Sequence, residues 1–235
     1  LQNLFCNEYI QPIKNQHVVD GMLEFTKYLN LDSNAKWTPL ILEPEEGFAK
    51  EYIHSNKITC LISPCSSQRY GDQYNRSWSI NNFAALIKYL IKLENLQIIM
   101  TGGNSPPEKV YSKEFDALFG NNILNLIGKT SIREMAALIK HSNLIISPDS
   151  GPAHIATIMG KPVIGLYAMS NPKRSGPYNS DEWLINKYDQ ALKVFMNKSP
   201  TEVKFGQKIK QPEAMDLIET RDVIEKVESL IKHQS

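Results

Sequence analysis

The residues best suited to chemistry lie together, directly after a short apolar run at residues 144–147 that predicts a buried strand. Within one turn of a predicted helix start, the chain supplies a carboxylate, a hydroxyl, a residue without a side chain and an imidazole: Asp149, Ser150, Gly151 and His154. Open α/β sheets bind ligands at such strand-to-helix turns, because the amides at a helix start attract anions. The structural alternative is that Asp149 or Ser150 only caps the helix.

A second polar loop follows the strand predicted at residues 58–62. Ser66 and Ser67 offer hydroxyls and turn amides of the kind that bind phosphate oxygens, and Arg76 brings charge that can pair with a diphosphate. Because exposed loops often carry arginines without binding any ligand, this loop does not establish a site by itself.

Two further loops after strands contain glycines or capping residues. Gly102 and Gly103 would let the backbone approach a ligand closely, although such a pair is usually only a turn. The next loop resembles a capping box, in which Thr130 or Ser131 caps a helix that has Glu134 in its first turn. For this loop the structural interpretation is favoured over a functional one.

Other kinds of chemistry are poorly supported by the sequence. The five histidines are scattered, and no histidine or cysteine pair has the spacing of zinc ligands, so no metal site is predicted. Asp149, Ser150 and His154 are too close in sequence to form a hydrolase relay, and no G-x-S-x-G elbow is present. The run Gly128-Lys129-Thr130 lacks the earlier glycine of a P-loop, which excludes that class of NTPase.

The elements that must position these residues alternate between strand and helix. Strands are predicted at residues 58–62, 97–100, 123–126, 144–147 and 162–167, with helices at 81–93, 108–119, 132–140 and 155–159. Alternation of this kind predicts parallel pairing with right-handed crossovers, and therefore a Rossmann-like doubly wound parallel sheet of the α/β class. Its strand-to-helix loops meet at one edge, so the polar groups should converge on one crevice.

The regions that flank this unit are less regular. Before it, an amphipathic helix at residues 17–29 and a helical segment at 45–54 carry too little apolar surface to fold alone. After it, residues 181–211 show only weak strand signals, such as 191–196. A closing helix is predicted from residue 212 or 213 to 233, with a break near Thr220.

Composition fits a globular chain and argues against several partners. The 235 residues are 42% hydrophobic and 22% charged, and a net charge of +1 favours neither nucleic acid nor a polybasic membrane anchor. The three cysteines make a poor disulfide framework, which indicates a reducing cytoplasm. No run of about 18 apolar residues predicts a membrane span. The first residue, Leu1, is compatible with processing or with a missing upstream region.

Taken in order, these motifs resemble those of the lipopolysaccharide heptosyltransferase family. The matching blocks are residues 63–67, 76–78 leading into 82–86, 101–103 with Glu108, 125–131, and 148–154 followed by 160–167. The resemblance covers roughly residues 58–180, and its last block is the most specific.

The resemblance implies that the chain is the C-terminal half of a two-domain GT-B glycosyltransferase. Such enzymes transfer heptose from ADP-heptose to the lipid A–inner core acceptor and invert the anomeric centre without a metal or other cofactor. It implies a remnant of the N-terminal acceptor domain with a linker at 1–57, a donor-binding domain at 58–211 and a C-terminal helix at 212–235. It also implies a cytoplasmic location at the inner-membrane face, with any peripheral membrane association made through the missing N-terminal domain.

The same resemblance implies roles for the residues on the nucleotide side. Ser66 and Ser67 match hydroxyls that contact phosphate, and Glu108 matches the acidic residue that meets the nucleoside ribose. Thr130 is expected near the adenine.

On the sugar side, the block from Asp149 to His154, which includes Ser150 and Gly151, matches the family motif at the diphosphate and sugar. Arg76 stands where the family usually has lysine, which preserves the charge but replaces a point donor with a fork. The predicted catalytic residues are Arg76, Asp149 and His154, with Arg76, the helix amides and His154 stabilising the leaving diphosphate.

Departures from the family pattern leave alternatives open. Cys65 replaces a small residue, the insert at 68–75 is longer and more polar than expected, and the family's general-base aspartate has no counterpart here. If 235 residues are the whole protein, donor binding with little or no transfer is expected. A non-catalytic binding or interaction module is the main alternative, and a nucleotide-sugar epimerase with the GT-B layout is a third.

Overall fold

A computed structural model describes residues 6–38, 41, 43–66 and 75–234. Within these ranges, six strands form one parallel sheet: β1 (Ile58–Ile62), β2 (Leu96–Met100), β3 (Leu124–Asn125), β4 (Leu144–Pro148), β5 (Val163–Tyr167) and β6 (Ile185–Asn186). Their spatial order is β3-β2-β1-β4-β5-β6. The winding direction therefore reverses between β1 and β4, where doubly wound sheets open a ligand crevice. The predicted Rossmann-like parallel sheet is confirmed.

The helices of the described chain, in order, are α1 (Val18–Tyr28), α2 (Glu43–Tyr52), α3 (Ile80–Leu90), α4 (Pro106–Phe119), α5 (Ile132–His141), α6 (Gly151–Ile158), α7 (Pro172–Ser175), α8 (Tyr188–Met196) and α9 (Thr220–Gln234). Short 3₁₀ turns lie at Gly120–Asn122, Asp181–Trp183, Pro200–Glu202 and Pro212–Leu217. No helix in these ranges has both the length and the apolar character needed to cross a membrane.

Helices cover both faces of the sheet, because successive strand residues point to opposite sides. On one face, Cys60 and Ile62 pack with α3, α4, α8 and α9 in what we call the first core. On the other face, Leu61 packs with α2, α5 and α6 in the second core. Trp78 fixes the loop after β1 in the first core: its indole Nε1 donates to the Ile218 carbonyl at 3.0 Å. This anchor lies two residues beyond Arg76, so it helps to position the predicted cation.

The two helices before β1 differ in how they pack against the rest of the chain. Helix α2 packs against α5, with Ala49 fully buried in the second core and the Glu46 carboxylate bound by Lys140 and His141. Helix α1 has no buried residue, and its Met22 side chain is 66% exposed. The structure therefore joins α2 to the sheet, whereas α1 contributes nothing to either core.

Two weaker sequence predictions had different outcomes. Residues 191–196, which gave a weak strand signal, lie within α8, because Ala191, Leu192 and Phe195 recur at helical spacing against the first core. The predicted break near Thr220 is present, since a 3₁₀ turn ends at Leu217 before α9 begins.

Candidate functional site

The turn between β4 and α6 sits at the carboxyl end of the central strands. Ser150 occupies the cap position of α6, but its hydroxyl lies 2.8 Å from the buried Ser147 Oγ and forms no capping hydrogen bond. Among the described hydrogen bonds, Asp149 does not cap the helix either. The structure therefore does not support the interpretation that this turn is only a helix cap. The start of α6 faces the crevice with its positive dipole end, which favours an anion there.

Asp149 instead pairs with Arg76 from the loop after β1. Arg76 Nε lies 3.3 Å from Asp149 Oδ2, as an ion pair rather than an aligned hydrogen bond, and the side chains are 13% and 17% exposed. Ser170, which follows β5, donates its hydroxyl to the same carboxylate oxygen at 2.8 Å. Loops after three neighbouring strands thus converge on one carboxylate, as the parallel sheet predicts.

His154 lies one helical turn beyond Asp149 and opens onto the same crevice. Desolvation by the surrounding protein lowers the pKa of its imidazole, Asp149 opposes this effect, and His17 adds to it. The His154 side chain remains exposed to solvent in part, and solvent weakens the effect of desolvation on its pKa. A neutral imidazole at pH 7 can accept a proton when an anion approaches.

Ser66 is buried and organises the loop that presents Arg76. Its hydroxyl accepts a hydrogen bond from the Arg76 amide at 2.9 Å and lies 3.2 Å from Asn75 Oδ1, while its own amide donates to Ser77 Oγ. In this structure the hydroxyl therefore supports the loop. Ser67, predicted to contact phosphate, lies outside the described residues, so its role stays a prediction.

Glu108 closes the loop after β2. Its two carboxylate oxygens accept hydrogen bonds from the backbone amides of Gly103, at 2.6 Å, and Ser105, at 2.9 Å. A β-carbon on Gly103 would lie only 3.0 Å from Glu108 Oε2, so the absence of a side chain permits this close approach. The carboxylate is thus held in place at the mouth of the crevice.

Thr130 lies further from the turn. Its hydroxyl is 3.5 Å from that of Thr101, and the neighbouring Ser131 caps α5 with Glu134 completing a capping box. The predicted capping box is confirmed. The predicted contact between Thr130 and adenine stays a prediction.

Two cavities flank the turn from Asp149 to Gly151. The first, which we call the nucleotide-side cavity after the position that the family resemblance implies for the nucleotide, has a volume of about 800 Å³, and its lining includes Cys65, Gly102, Gly103, Glu108 and Gly151. The second, which we call the sugar-side cavity after the implied position of the donor sugar, has a volume of about 700 Å³, and its lining includes Arg76, Asp149, His154, His17, Trp37, Arg174, Tyr178 and Lys208. The structure thus brings the three predicted catalytic residues into one cavity and places Glu108 and Gly151 in its neighbour. Ser66 and Thr130 are not among the described lining residues of either.

Several residues at the site were not predicted from the sequence: Ser170, which holds Asp149, and three residues that line the sugar-side cavity, Arg174, His17 and Lys208. Ser170 and Arg174 follow β5, at the sheet edge where functional loops meet, and this position is the signal that could have indicated them. His17 and Lys208 carry no such signal, because neither follows a strand of the sheet: His17 caps α1, and Lys208 lies in the irregular segment before the 3₁₀ turn at Pro212–Leu217. His17 Nδ1 accepts a hydrogen bond from the Val19 amide, and its Nε2 lies 3.0 Å from the Gly176 carbonyl oxygen.

The described lining of the sugar-side cavity carries an excess of positive charge. Its cations are Arg76, Arg174 and Lys208, and the carboxylate among these described lining residues is that of Asp149. No group of three or more histidine, cysteine or acidic residues in the described ranges is arranged to hold a metal ion. The cavity therefore suits an anionic ligand that is bound through cationic side chains and helix amides.

Comparison with known proteins identifies the family of this chain. The model of glycosyltransferase family 9 (heptosyltransferase) matches residues 1–203, and the chain belongs to this family. The family resemblance predicted from the motifs is confirmed.

Individual relatives extend beyond the length of this chain. The lipopolysaccharide core heptosyltransferase OpsX of Haemophilus influenzae is 33% identical over 230 residues, which are 97% of this chain and 65% of the relative. A family 9 glycosyltransferase structure from Veillonella parvula superposes with a TM-score of 0.74 at 22% identity, over 98% of this chain and 64% of that one. The E. coli heptosyltransferase WaaC with ADP superposes with a TM-score of 0.64 at 17% identity, over 97% and 61%. Both structures share the fold.

Proposed function

We propose that this chain is the donor-binding half of a heptosyltransferase-type glycosyltransferase. The complete enzyme would transfer heptose, or a related sugar, from ADP-heptose to the inner core of lipopolysaccharide at the cytoplasmic face of the inner membrane. The observation that carries this proposal is the Arg76–Asp149 pair beside the start of α6, at the sheet's switch point. Family membership, the printed function of OpsX and the ADP in the E. coli structure support it.

The two cavities define how the donor would lie. The nucleoside occupies the nucleotide-side cavity, where the Glu108 carboxylate can accept hydrogen bonds from ribose hydroxyls. The diphosphate crosses the turn at Gly151, where no side chain obstructs the helix amides, and meets Arg76. The sugar then extends into the cavity that His154 lines.

Transfer would be a single displacement that inverts the anomeric centre. The acceptor hydroxyl oxygen forms a bond to the anomeric carbon while the bond from that carbon to the ADP oxygen breaks, and the electron pair leaves with ADP. Arg76, the α6 amides and His154 stabilise the negative charge that develops on the leaving diphosphate. The acceptor hydroxyl loses its proton to a general base, which we expect on the acceptor side of the complete enzyme. No metal or other cofactor takes part.

Asp149 acts in this scheme by holding the guanidinium of Arg76. Its carboxylate is itself an anion beside the diphosphate, so direct contact with phosphate would be repulsive. Anchored by Ser170 on one side, it fixes the cation at the crevice before the donor arrives. Such preorganisation saves reorganisation energy when charge develops in the transition state.

Calorimetric titration of the chain with ADP and with ADP-heptose tests this proposal. We expect both to bind with or without EDTA, and we expect Asp149→Ala to weaken binding about fivefold because Arg76 loses its anchor. Arg133→Gln is the matched control, since Arg133 lies on α5 beside Glu45 and lines neither cavity. A folded chain that binds neither compound, together with an Asp149→Ala variant that behaves like the wild type, would overturn the proposal.

A further inference from the structure

The sugar-side cavity has an aromatic wall as well as polar groups. Trp37, from the segment between α1 and α2, and Tyr178, which follows α7, both line it. Their rings meet edge to face, with centroids 6.4 Å apart and planes at 80°. A contact of this kind covers only one of the four ring faces. Trp37 remains 42% exposed, so the pair leaves aromatic surface available at the cavity.

Tyr178 is held in place by the start of α1. Its hydroxyl donates a hydrogen bond to Asp20 Oδ1 at 2.6 Å, and its ring lies against the His17 imidazole with 5.0 Å between centroids. His17 is itself tied to the loop before Tyr178, because its Nε2 lies 3.0 Å from the Gly176 carbonyl oxygen. Trp37 therefore packs against a ring that is fixed from two sides. Ordering this pair on binding a ligand would cost little conformational entropy.

The other two tryptophans of the chain have structural roles that Trp37 lacks. Trp78 is fully buried in the first core, and Trp183 packs against that core, with Lys226 Nζ 5.8 Å from its ring centroid. Among the described contacts, Trp37 belongs to neither core. Single exposed apolar side chains are common on protein surfaces, but an aromatic side chain in the wall of a concave cavity is typical of a binding site. The position of Trp37 is therefore better explained by a ligand than by packing.

The combination of a flat aromatic surface with hydrogen-bonding groups indicates the class of ligand. A pyranose ring has faces of C–H groups and a rim of hydroxyls. Its C–H hydrogens carry partial positive charge and are attracted to the negative face of an aromatic ring. Its hydroxyls can exchange hydrogen bonds with polar side chains of the same cavity, such as His154 and Thr157. A sugar ring therefore uses both the aromatic and the polar side of this cavity.

The sugar that meets the aromatic wall is the acceptor's. On the proposed function, the diphosphate lies at Arg76 and the start of α6, so the donor sugar enters the cavity from that side. In a single displacement, the attacking oxygen approaches the anomeric carbon from the side opposite the leaving diphosphate. The acceptor ring must therefore lie in the same cavity, beyond the donor sugar. A cavity of about 700 Å³ is in the range that holds ligands larger than one sugar ring.

We propose that Trp37, braced by Tyr178, is a stacking platform for the acceptor ring that carries the attacking hydroxyl. Stacking fixes the plane of that ring, while the hydroxyls at its rim stay free to face the anomeric carbon. The platform selects pyranose rings with a face that carries only C–H groups, because an axial hydroxyl on that face would lift the ring from the indole. The platform rests on the proposed function, since the donor sugar defines where the acceptor begins.

The test uses the chain labelled with 5-fluorotryptophan and saturated with ADP. The probes are methyl β-glucopyranoside, whose ring faces carry only C–H groups, and sorbitol, an acyclic polyol with similar hydroxyls. Fluorine NMR separates the three tryptophans, and the Trp37 resonance is identified by its loss in Trp37→Phe. We expect the glucoside to shift the Trp37 resonance saturably and to leave the Trp183 resonance unchanged. Sorbitol should shift neither.

Variants separate the platform from its brace, with glucoside binding followed by saturation-transfer NMR. Trp37→Leu should weaken that binding about tenfold, because leucine has no aromatic face, and Trp37→Phe should recover part of the loss. Trp183→Phe is the matched control, since Trp183 lines neither cavity. Tyr178→Phe keeps the ring but removes the hydrogen bond to Asp20. It should weaken binding about threefold in the wild type and have no effect in the Trp37→Leu background, because the brace acts through Trp37.

A chain saturated with ADP-heptose distinguishes acceptor from donor. It should bind the glucoside as well as the ADP-saturated chain does, and loss of glucoside binding there would assign the platform to the donor sugar and overturn the proposal. Equal glucoside binding in wild type and Trp37→Leu, or no glucoside binding to a chain that binds ADP, would also overturn it. If the wild-type chain binds neither ADP nor ADP-heptose, the proposed function fails and the platform fails with it. The ADP titration thus tells the two failures apart.

Discussion

Arg76 and Asp149 form an ion pair across the switch point of the sheet, with 3.3 Å between Nε and Oδ2, although their loops follow β1 and β4. Both side chains are largely shielded from water, and Ser170 holds the carboxylate from a third loop. The pair fixes a cation where a diphosphate would meet the start of α6. Its consequences can be measured without any transfer reaction.

Replacing Arg76 with Gln should weaken ADP binding about tenfold, because the diphosphate loses a charge-assisted hydrogen bond. Arg76→Lys should recover part of that loss, since it keeps the charge but not the fork geometry. Calorimetric dissociation constants for the three proteins measure the effect. Affinities that are equal in wild type and Arg76→Gln would show that the diphosphate does not lie at this pair.

A methyl group at Gly151 should affect binding but not folding. An added β-carbon there meets no atom within 4 Å, and the backbone has no positive φ, so Gly151→Ala should change the free energy of unfolding by less than about 1 kcal/mol. The methyl would occupy the space where the proposed diphosphate crosses the turn, and ADP affinity should fall about tenfold. Gly47→Ala in α2 is the matched control, because its added β-carbon is equally unobstructed and lies away from both cavities. Denaturant unfolding and ADP titration of both variants decide between a structural and a binding requirement for Gly151.

Binding of ADP should draw a proton onto His154. The pKa of its imidazole is lowered in the free chain, chiefly by desolvation, and an approaching diphosphate would raise it. ADP affinity should therefore increase as pH falls from 7.5 to 6. Because ADP titrates in the same range, the measurement is proton uptake by calorimetry in buffers of different ionisation enthalpy, compared between wild type and His154→Gln.

The matched control for this prediction is His54→Gln, since His54 is exposed and lines neither cavity. Identical proton uptake in wild type and His154→Gln would contradict a role for this imidazole at the phosphate. Protonation of His154 should strengthen ADP binding but should destabilise the folded chain. A histidine whose pKa is lowered by folding favours the unfolded chain when protonated, so His154 should reduce stability as pH falls through its usual value of 6.5.

Glu46 should stabilise the docking of α2 in a pH-dependent way. Hydrogen bonds from Lys140 and then from His141 lower the pKa of its carboxyl. A lowered pKa means that the stabilisation is complete above the usual value of 4.5 and is lost as pH falls through the lowered value. Glu46→Gln should therefore reduce the free energy of unfolding by about 0.5–1 kcal/mol at pH 7, and by less near pH 3.5. Thermal unfolding at both pH values, with the exposed Glu43→Gln in the same helix as control, measures this difference.

Much of the fold could be predicted because its signals are local. Apolar runs bounded by polar turns located the strands, and their alternation with helices fixed parallel pairing and thus the common edge for the loops. Residues 191–196 give a weak strand signal but form part of α8, because a short apolar run such as Ala191 and Leu192 does not by itself distinguish a strand from a helix. Its burial against the first core decides the outcome, and burial depends on residues that are distant in sequence.

The site was only partly predictable for the same reason. The sequence predicts that Asp149 and Ser150 lie at a helix start. Their partners, Arg76, Ser170 and Ser147, become neighbours only when the sheet forms. Lys208 lies in a segment without any periodic pattern. It reaches the cavity because a hydrogen bond from the Ile209 amide to the Met169 carbonyl aligns that segment with the loop after β5.

The strand order also determines the stage of folding at which the site forms. The Thr59 amide of β1 donates to the Asn143 side chain, 84 residues further along the chain, at the base of the pair of strands that carries Arg76 and Asp149. Pairing between strands so distant in sequence is slow, because the chain between them loses entropy on closing before the contacts between the strands can stabilise it. On the proposed function, a nucleotide would bind only after that closure, so it would not guide the chain toward its fold. It would act afterwards, by mass action on the finished sheet, and would slow unfolding without accelerating folding.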